Sequence, residues 1–175
     1  MNFEIPALKY RLIVALSIFF FLGIRDWIKN KENPKRAKEY LFVLSLSIMS
    51  MVFAIIHDLV TFNISPEYFI YAKDLGENIN YFPDIVLLAV SASYSIGLAI
   101  GIMFLIANNP SENYQQLSYK ELYKLIKYPF VSAVITALIA FFISKVAFPY
   151  FSKFGLGLLK HPENFEAVAF IHWGT

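Results

Sequence analysis

The run IVLLAVSASYSIGLAIGIMFLIA, residues 85–107, holds no charged side chain. A helix rises about 1.5 Å per residue, so a run of this length covers the roughly 30 Å hydrocarbon core of a bilayer. Lipid offers no water to backbone N–H and C=O groups, which leaves helices and closed barrels as the spanning structures. The apolar–polar alternation of a barrel strand is absent from the run. It therefore predicts a transmembrane helix, and that reading constrains the rest of the chain.

Three further apolar runs predict three further spans, at about 10–28, 40–60 and 128–148. The first has a short uninterrupted core, Leu12–Ile24, and the last is interrupted by Ser144-Lys145. Composition agrees: 58% of the 175 residues are hydrophobic, with 18 Phe and 11 Tyr, against about 45–50% apolar in an ordinary soluble domain. Mean hydropathy is +0.55. Lys9 and Arg11 before the first core also fit the start of a signal peptide, but Arg25-Asp26-Trp27 stands where small residues should form a cleavage site. The expectation is one transmembrane domain over 1–175, an all-α integral membrane four-helix bundle.

Several function classes fall away. A net charge of +2 and the lack of a basic stripe argue against nucleic acid. With no cysteine there is no disulfide, thiolate metal site or Cys nucleophile. No Gly-rich phosphate loop, HExxH or GxSxG occurs. The loops are too short for a soluble catalytic domain, and the span interiors carry little charge beyond Lys145 for an ion path.

Lys and Arg counts in the loops orient the spans. Arg25, Lys29, Lys31, Lys35, Arg36 and Lys38 lie between the first two, and Lys120, Lys124 and Lys127 between the last two. The middle loop has only Lys73 against Asp58, Glu67, Asp74, Glu77 and Asp84. The first and third loops thus read as cytoplasmic, and the middle loop and both termini as extracytoplasmic. Lys145, Lys153 and Lys160 argue mildly the other way. The expected setting is a bacterial inner membrane.

Most loop features have structural readings. KNKENPKRAK, residues 29–38, is a solvated basic turn. Ser118 and Glu121 have capping-box spacing before an amphipathic segment that enters the last span. Gly97 and Gly101 form a GxxxG that lets helix backbones approach closely. It serves packing within the bundle or, alternatively, a homo-oligomer or membrane partner.

The stretch IIHDLVTFNISPEYF, residues 55–69, is different. His57 and Asp58 end the second span, where ionisable groups are costly unless partnered or functional. Ser65-Pro66-Glu67 reads as N-cap, N1 and N2 of an interfacial helix over about 66–73. His161-Pro162-Glu163 repeats the device and opens a terminal helix over about 162–173, on the same outer side, which carries Glu166 and His172. His57 and Thr61 share a helix face, whereas Asp58 lies about 100° round. No single helix makes a site, so one would be assembled from the second span and these two helices. Imidazole and carboxylate are ligands for Zn, Fe, Mn or Ni. The candidate ligands to a divalent transition metal or small polar molecule are therefore His57, Asp58, Glu67, Glu163 and His172. A metal-bound water with Glu67 as proton acceptor is the simplest chemistry they allow. The structural alternative is a boundary pair at His57-Asp58 and ordinary N-terminal helix acids at Glu67 and Glu163, or a network that only fixes the loop.

At His57, Asp58, Thr61, Glu67, Tyr68 and Phe69 the chain resembles an uncharacterised family of small multi-pass bacterial membrane proteins with the pattern His-Asp-Gln-x-Thr, then Glu-Tyr-Phe. SYKELYKLIKYPF and HPENFEAVAFIHW resemble later segments of that family more loosely. Leu59 replaces the Gln, and the family pattern implies a further helix where this sequence ends at Thr175. The resemblance implies no activity. It implies that His57, Asp58, Glu67 and His172 act together. The function expected is an inner-membrane protein with an extracytoplasmic polar pocket; the alternative is a non-catalytic scaffold or interaction subunit.

Overall fold

The computed structural model describes residues 5–76, 80–111, 114–153 and 165–174. Its helices are α1 (Ile5–Lys29), α2 (Lys35–Ile64), a π-helix (Tyr68–Ala72), α3 (Tyr81–Ala107), α4 (Tyr119–Leu125), α5 (Lys127–Lys153) and α6 (Phe165–Gly174). No β-strand occurs among the described residues. Three stretches there are long and apolar enough to cross a membrane: Lys35–Ile64, Tyr81–Ala107 and Tyr119–Val146. Their large apolar side chains are widely exposed, among them Val52, Met103, Ile106, Phe142 and Val146. In water such a surface would mark an aggregation or interaction hazard.

The chain forms two compact units. The first comprises Met1–Ile56 and Ile85–Leu122. Within it α3 buries one stripe, Ile85, Ala89, Ser93, Gly97 and Gly101, spaced four apart so that they fall on one face. Small residues let α2 come close. A Cβ at Gly97 would lie 2.5 Å from Ser47 Cα and 2.6 Å from the Leu46 carbonyl oxygen. One at Gly101 would lie 3.0 Å from Val43 Cα. Ser47 Oγ donates to the Tyr94 carbonyl at 2.9 Å and Ser50 Oγ to that of Ser93 at 3.1 Å, across the seam. The GxxxG face is thus occupied by α2 of the same chain. Further along α2, Phe42 is buried, with the Phe104 and Tyr119 rings at 6.4 and 5.8 Å.

The loops of this unit follow from local chemistry. Asp26, on α1, accepts the Ala37 backbone N–H at 2.9 Å and so caps the first turn of α2. Asn108 bonds the Leu117 backbone in both directions, at 2.8 and 3.0 Å, closing the loop before α4. The Ser118–Glu121 capping box forms: Glu121 Oε2 accepts the Ser118 N–H at 2.8 Å, and Ser118 Oγ accepts the Glu121 N–H at 3.4 Å.

The second unit comprises His57–Asp84 and Tyr123–Thr175. It holds the end of α2, the π-helix, α5 and α6, and α6 packs along α5 and touches the π-helix. After Ser65 the chain turns helical at Pro66, but the turn widens: the Lys73 N–H bonds the Tyr68 carbonyl, five residues back, at 3.2 Å. Ser65 also acts differently from the N-cap expected. Its hydroxyl donates to Glu67 Oε2 at 2.9 Å, while its carbonyl accepts the Tyr68 N–H at 3.3 Å. The hydroxyl proton thus goes to a carboxylate two residues on, a charge-assisted bond.

Candidate metal centre

Three of the five candidate ligands come together in the second unit. His57, Asp58 and His172 each bring one ligand atom within 4.8 Å of the others. His57 Nδ1 is 3.0 Å from Asp58 Oδ1, and His172 Nδ1 is 3.9 Å from the same oxygen. Two donors on one ion at metal–ligand distances of about 2.1 Å stand roughly 3.0–3.4 Å apart. The first pair already has that spacing. The second needs a closure of about half an ångström, and the widest separation in the group, up to 4.8 Å, a closure of up to about 1.4 Å by side-chain rotation.

His57 and Asp58, about 100° apart on α2, touch directly, and the third member comes from α6, so no single helix makes the group. Neighbouring side chains curl along the helix surface, and the imidazole nitrogen reaches the carboxylate directly. Glu67 is half-buried, holds the Ser65 hydroxyl and is not one of the three clustered ligands. Glu163 and His161 lie outside the described residues.

Aromatic rings fix His172. Tyr68 stacks on its imidazole, centroids 4.8 Å apart and planes 20° apart. Phe69 meets it edge-on at 5.6 Å, and His57 does so at 4.7 Å. Phe165 and Phe62 back Tyr68 and Phe69 respectively. Tyr68, Phe69 and Asp58 are all buried. Tyr68 and Phe69, the first two residues of the π-helix, thus meet the same imidazole.

Burial pushes the His172 imidazole down to about 4. The Asp58 carboxylate opposes that shift, while His57 and Lys73 add to it. At neutral pH His172 is therefore the neutral imidazole that a metal requires. Burial, and then Asp58, raise the Tyr68 phenol above its ordinary value.

Sequence reasoning had marked Thr61 for sharing a face with His57 and missed its contact with His172. Thr61 Oγ1 lies 3.2 Å from His172 Nε2, and it donates to the carbonyls of His57 at 2.9 Å and Asp58 at 3.2 Å. Tyr68 and Phe69 entered only as part of the Glu-Tyr-Phe string. Their signal is two aromatic residues directly after a Pro-Glu helix start, in a chain that must shield an imidazole.

No protein-family model, curated protein or solved structure matches the chain. The chemistry of the site is accordingly read from its own atoms. Two imidazoles and one carboxylate form an N₂O donor set, which suits Zn²⁺, Fe²⁺, Mn²⁺ or Ni²⁺ and leaves coordination positions open.

Proposed function

We propose that this is a multi-pass protein of the bacterial inner membrane that binds a divalent transition metal at its extracytoplasmic face. The ligands are His57, Asp58 and His172, and the open positions take water or a small polar molecule. The observation that carries this reading is the convergence of three ligand atoms from α2 and α6 within 4.8 Å of one another. An ordinary boundary pair would need His57 and Asp58 alone. A second imidazole brought from more than a hundred residues away, with rings locking it in place, is more than boundary chemistry requires.

In the proposed topology a single domain of four helices spans the bilayer. The exposed apolar side chains of α1, α3 and α5 meet lipid, and the basic loop 29–38 stays in the cytoplasm. Both termini and the His57 end of α2 then fall outside. Glu67 and Glu163 remain candidates for the open positions. The scaffold alternative draws little support from Gly97 and Gly101, because α2 of the same chain fills the face they would offer a partner.

The test is elemental analysis of untagged protein purified without chelator, beside Asp58→Asn. Near-stoichiometric metal in the wild type, lost in the variant, is the expected result. A metal-free wild type that also fails to take up Zn²⁺, Fe²⁺, Mn²⁺ or Ni²⁺ on titration sinks the reading.

A further inference from the structure

Thr61 has a single hydroxyl proton and three acceptors in reach. Two are backbone carbonyls of its own helix, His57 at 2.9 Å and Asp58 at 3.2 Å; the third is His172 Nε2 at 3.2 Å. A threonine within a helix places its proton on the carbonyl of the preceding turn, the bond this side chain makes with no rotation of the backbone. With the proton so placed, the hydroxyl oxygen presents only lone pairs to His172. The contact at 3.2 Å is then a hydrogen bond only if Nε2 carries hydrogen.

We infer that Thr61 is a positioning residue that selects the Nε2–H tautomer of His172 and so turns an unprotonated Nδ1 toward Asp58. This deepens the metal reading and rests on it for the role given to Nδ1. The 3.9 Å between His172 Nδ1 and Asp58 Oδ1 is too long for a hydrogen bond. In the selected tautomer it separates two acceptors, a lone pair and a carboxylate oxygen. Facing acceptors in a buried site call for a cation between them, and a transition metal bonded to both meets that need. Tyr68 stacked on one face of the ring and the Phe69 edge beside it oppose the ring flip that would exchange the two nitrogens. A hydrogen-bond partner on the non-ligating nitrogen is the usual way a protein sets which nitrogen binds metal.

The test compares wild type, Thr61→Ser and Thr61→Val, each purified and stripped of metal. Imidazole nitrogen NMR shifts, assigned to His172 with a His172→Gln variant, report the tautomer. Zn²⁺ titration reports affinity. Wild type and Thr61→Ser should show hydrogen on Nε2 and comparable affinity. Thr61→Val, which keeps the shape and loses the oxygen, should shift His172 toward the Nδ1–H form and weaken Zn²⁺ binding about 10–100-fold. Hydrogen on Nδ1 in the wild type, or an unchanged tautomer in Thr61→Val, overturns the inference. An Nε2–H wild type that takes up no Zn²⁺ refutes the metal reading and the ligand role of Nδ1, while Thr61 still sets the tautomer; the two failures are therefore separable.

Discussion

The seam between α2 and α3 and the site at the end of α2 both bury polar side chains, and they satisfy them in opposite ways. In the seam each serine hydroxyl ends on a backbone carbonyl: Ser47 on Tyr94, Ser50 on Ser93, Ser93 on Ala89. Donor meets acceptor, no titratable group takes part, and glycine provides the closeness. At the site the groups that face one another are two imidazoles and a carboxylate, with Asp58 Oδ1 3.0 Å from His57 Nδ1 and 3.9 Å from His172 Nδ1. Burial of polar atoms alone therefore says little about function. The informative feature is which polar atoms are turned toward each other, and whether something further would have to lie between them.

That contrast breaks most visibly at Gly97. Leucine there would drive a side chain into Ser47 and the Leu46 backbone, and neither can move without parting the helices. The expected cost is about 3 kcal/mol, the upper end for overpacking, read as a lower unfolding midpoint in mild detergent. Gly101→Ala, with its nearest atom at 3.0 Å, should cost about a third as much by the same principle. Any Gly97→Leu protein that remains folded should bind metal as the wild type does, since the two features answer to different chemistry. Equal stability of Gly97→Leu and wild type would show that α2 does not rest on this face.

Asp58→Asn should have the reverse profile. The amide has nearly the shape of the carboxylate and still accepts a hydrogen bond from His57, so the metal-free protein should unfold within about 1 kcal/mol of wild type. Metal affinity should fall at least about 100-fold, because a neutral amide oxygen replaces the one anionic ligand. Titration in the two proteins, paired with detergent unfolding, checks both halves. A large stability loss with intact metal uptake would move Asp58 from the site to the scaffold.

The pH dependence of the metal-free protein sharpens the site further. The folded-state value of His172 is about 4, against 6.5 for the free side chain. Between those values the unfolded chain binds a proton that the folded chain does not, so stability is full above the unfolded value and declines as pH falls toward the folded one. The loss should reach up to about 3 kcal/mol at about 1.4 kcal/mol per unit. His172→Gln should flatten that window. A slope of the same size in His172→Gln would assign it to another group.

Helical class and three of the apolar runs were legible because a stretch long and apolar enough to cross a membrane must satisfy its own backbone, and a helix does so. His57, Asp58 and His172 were legible as residue types in costly places. Their meeting was expected only from the need to assemble a site between the second span and the two later helices and from the resemblance, since nothing in local periodicity reports that α6 returns His172 to the end of α2. Glu67 shows the limit from the other side. Its position after Pro66 was read as ligand and helix acid alike, whereas its carboxylate holds the Ser65 hydroxyl beside a turn closed by the Tyr68 N–H on the Ser65 carbonyl. The π-helix itself left no trace in the pattern, because YFIYA suits either helical form. Asp26 was noted only as a residue that spoils a cleavage site. That its carboxylate reaches across a basic turn to the Ala37 N–H lies beyond any local capping rule.

Asp26 gives the smallest of the expected effects and tests the seam's side of the comparison. An α-helix leaves its first N–H groups without intrahelical partners, and α2 begins after Pro34 with lysine and arginine, neither of which can cap it. The Asp26 carboxylate serves instead, accepting Ala37 N–H at 2.9 Å and Asn30 Nδ2 at 2.7 Å. Its negative charge also suits the positive end of the α2 dipole. Asp26→Asn should keep most of the bonding and Asp26→Ala should lose it. The readout is local: amide exchange at Ala37 should speed up in Asp26→Ala, less so in Asp26→Asn, while metal uptake and the overall unfolding midpoint barely move. If Ala37 exchange is the same in all three proteins, the α2 start is held by something other than this carboxylate. A change in metal uptake would mean that the start of α2 and the site at its other end are coupled, against the separation drawn here.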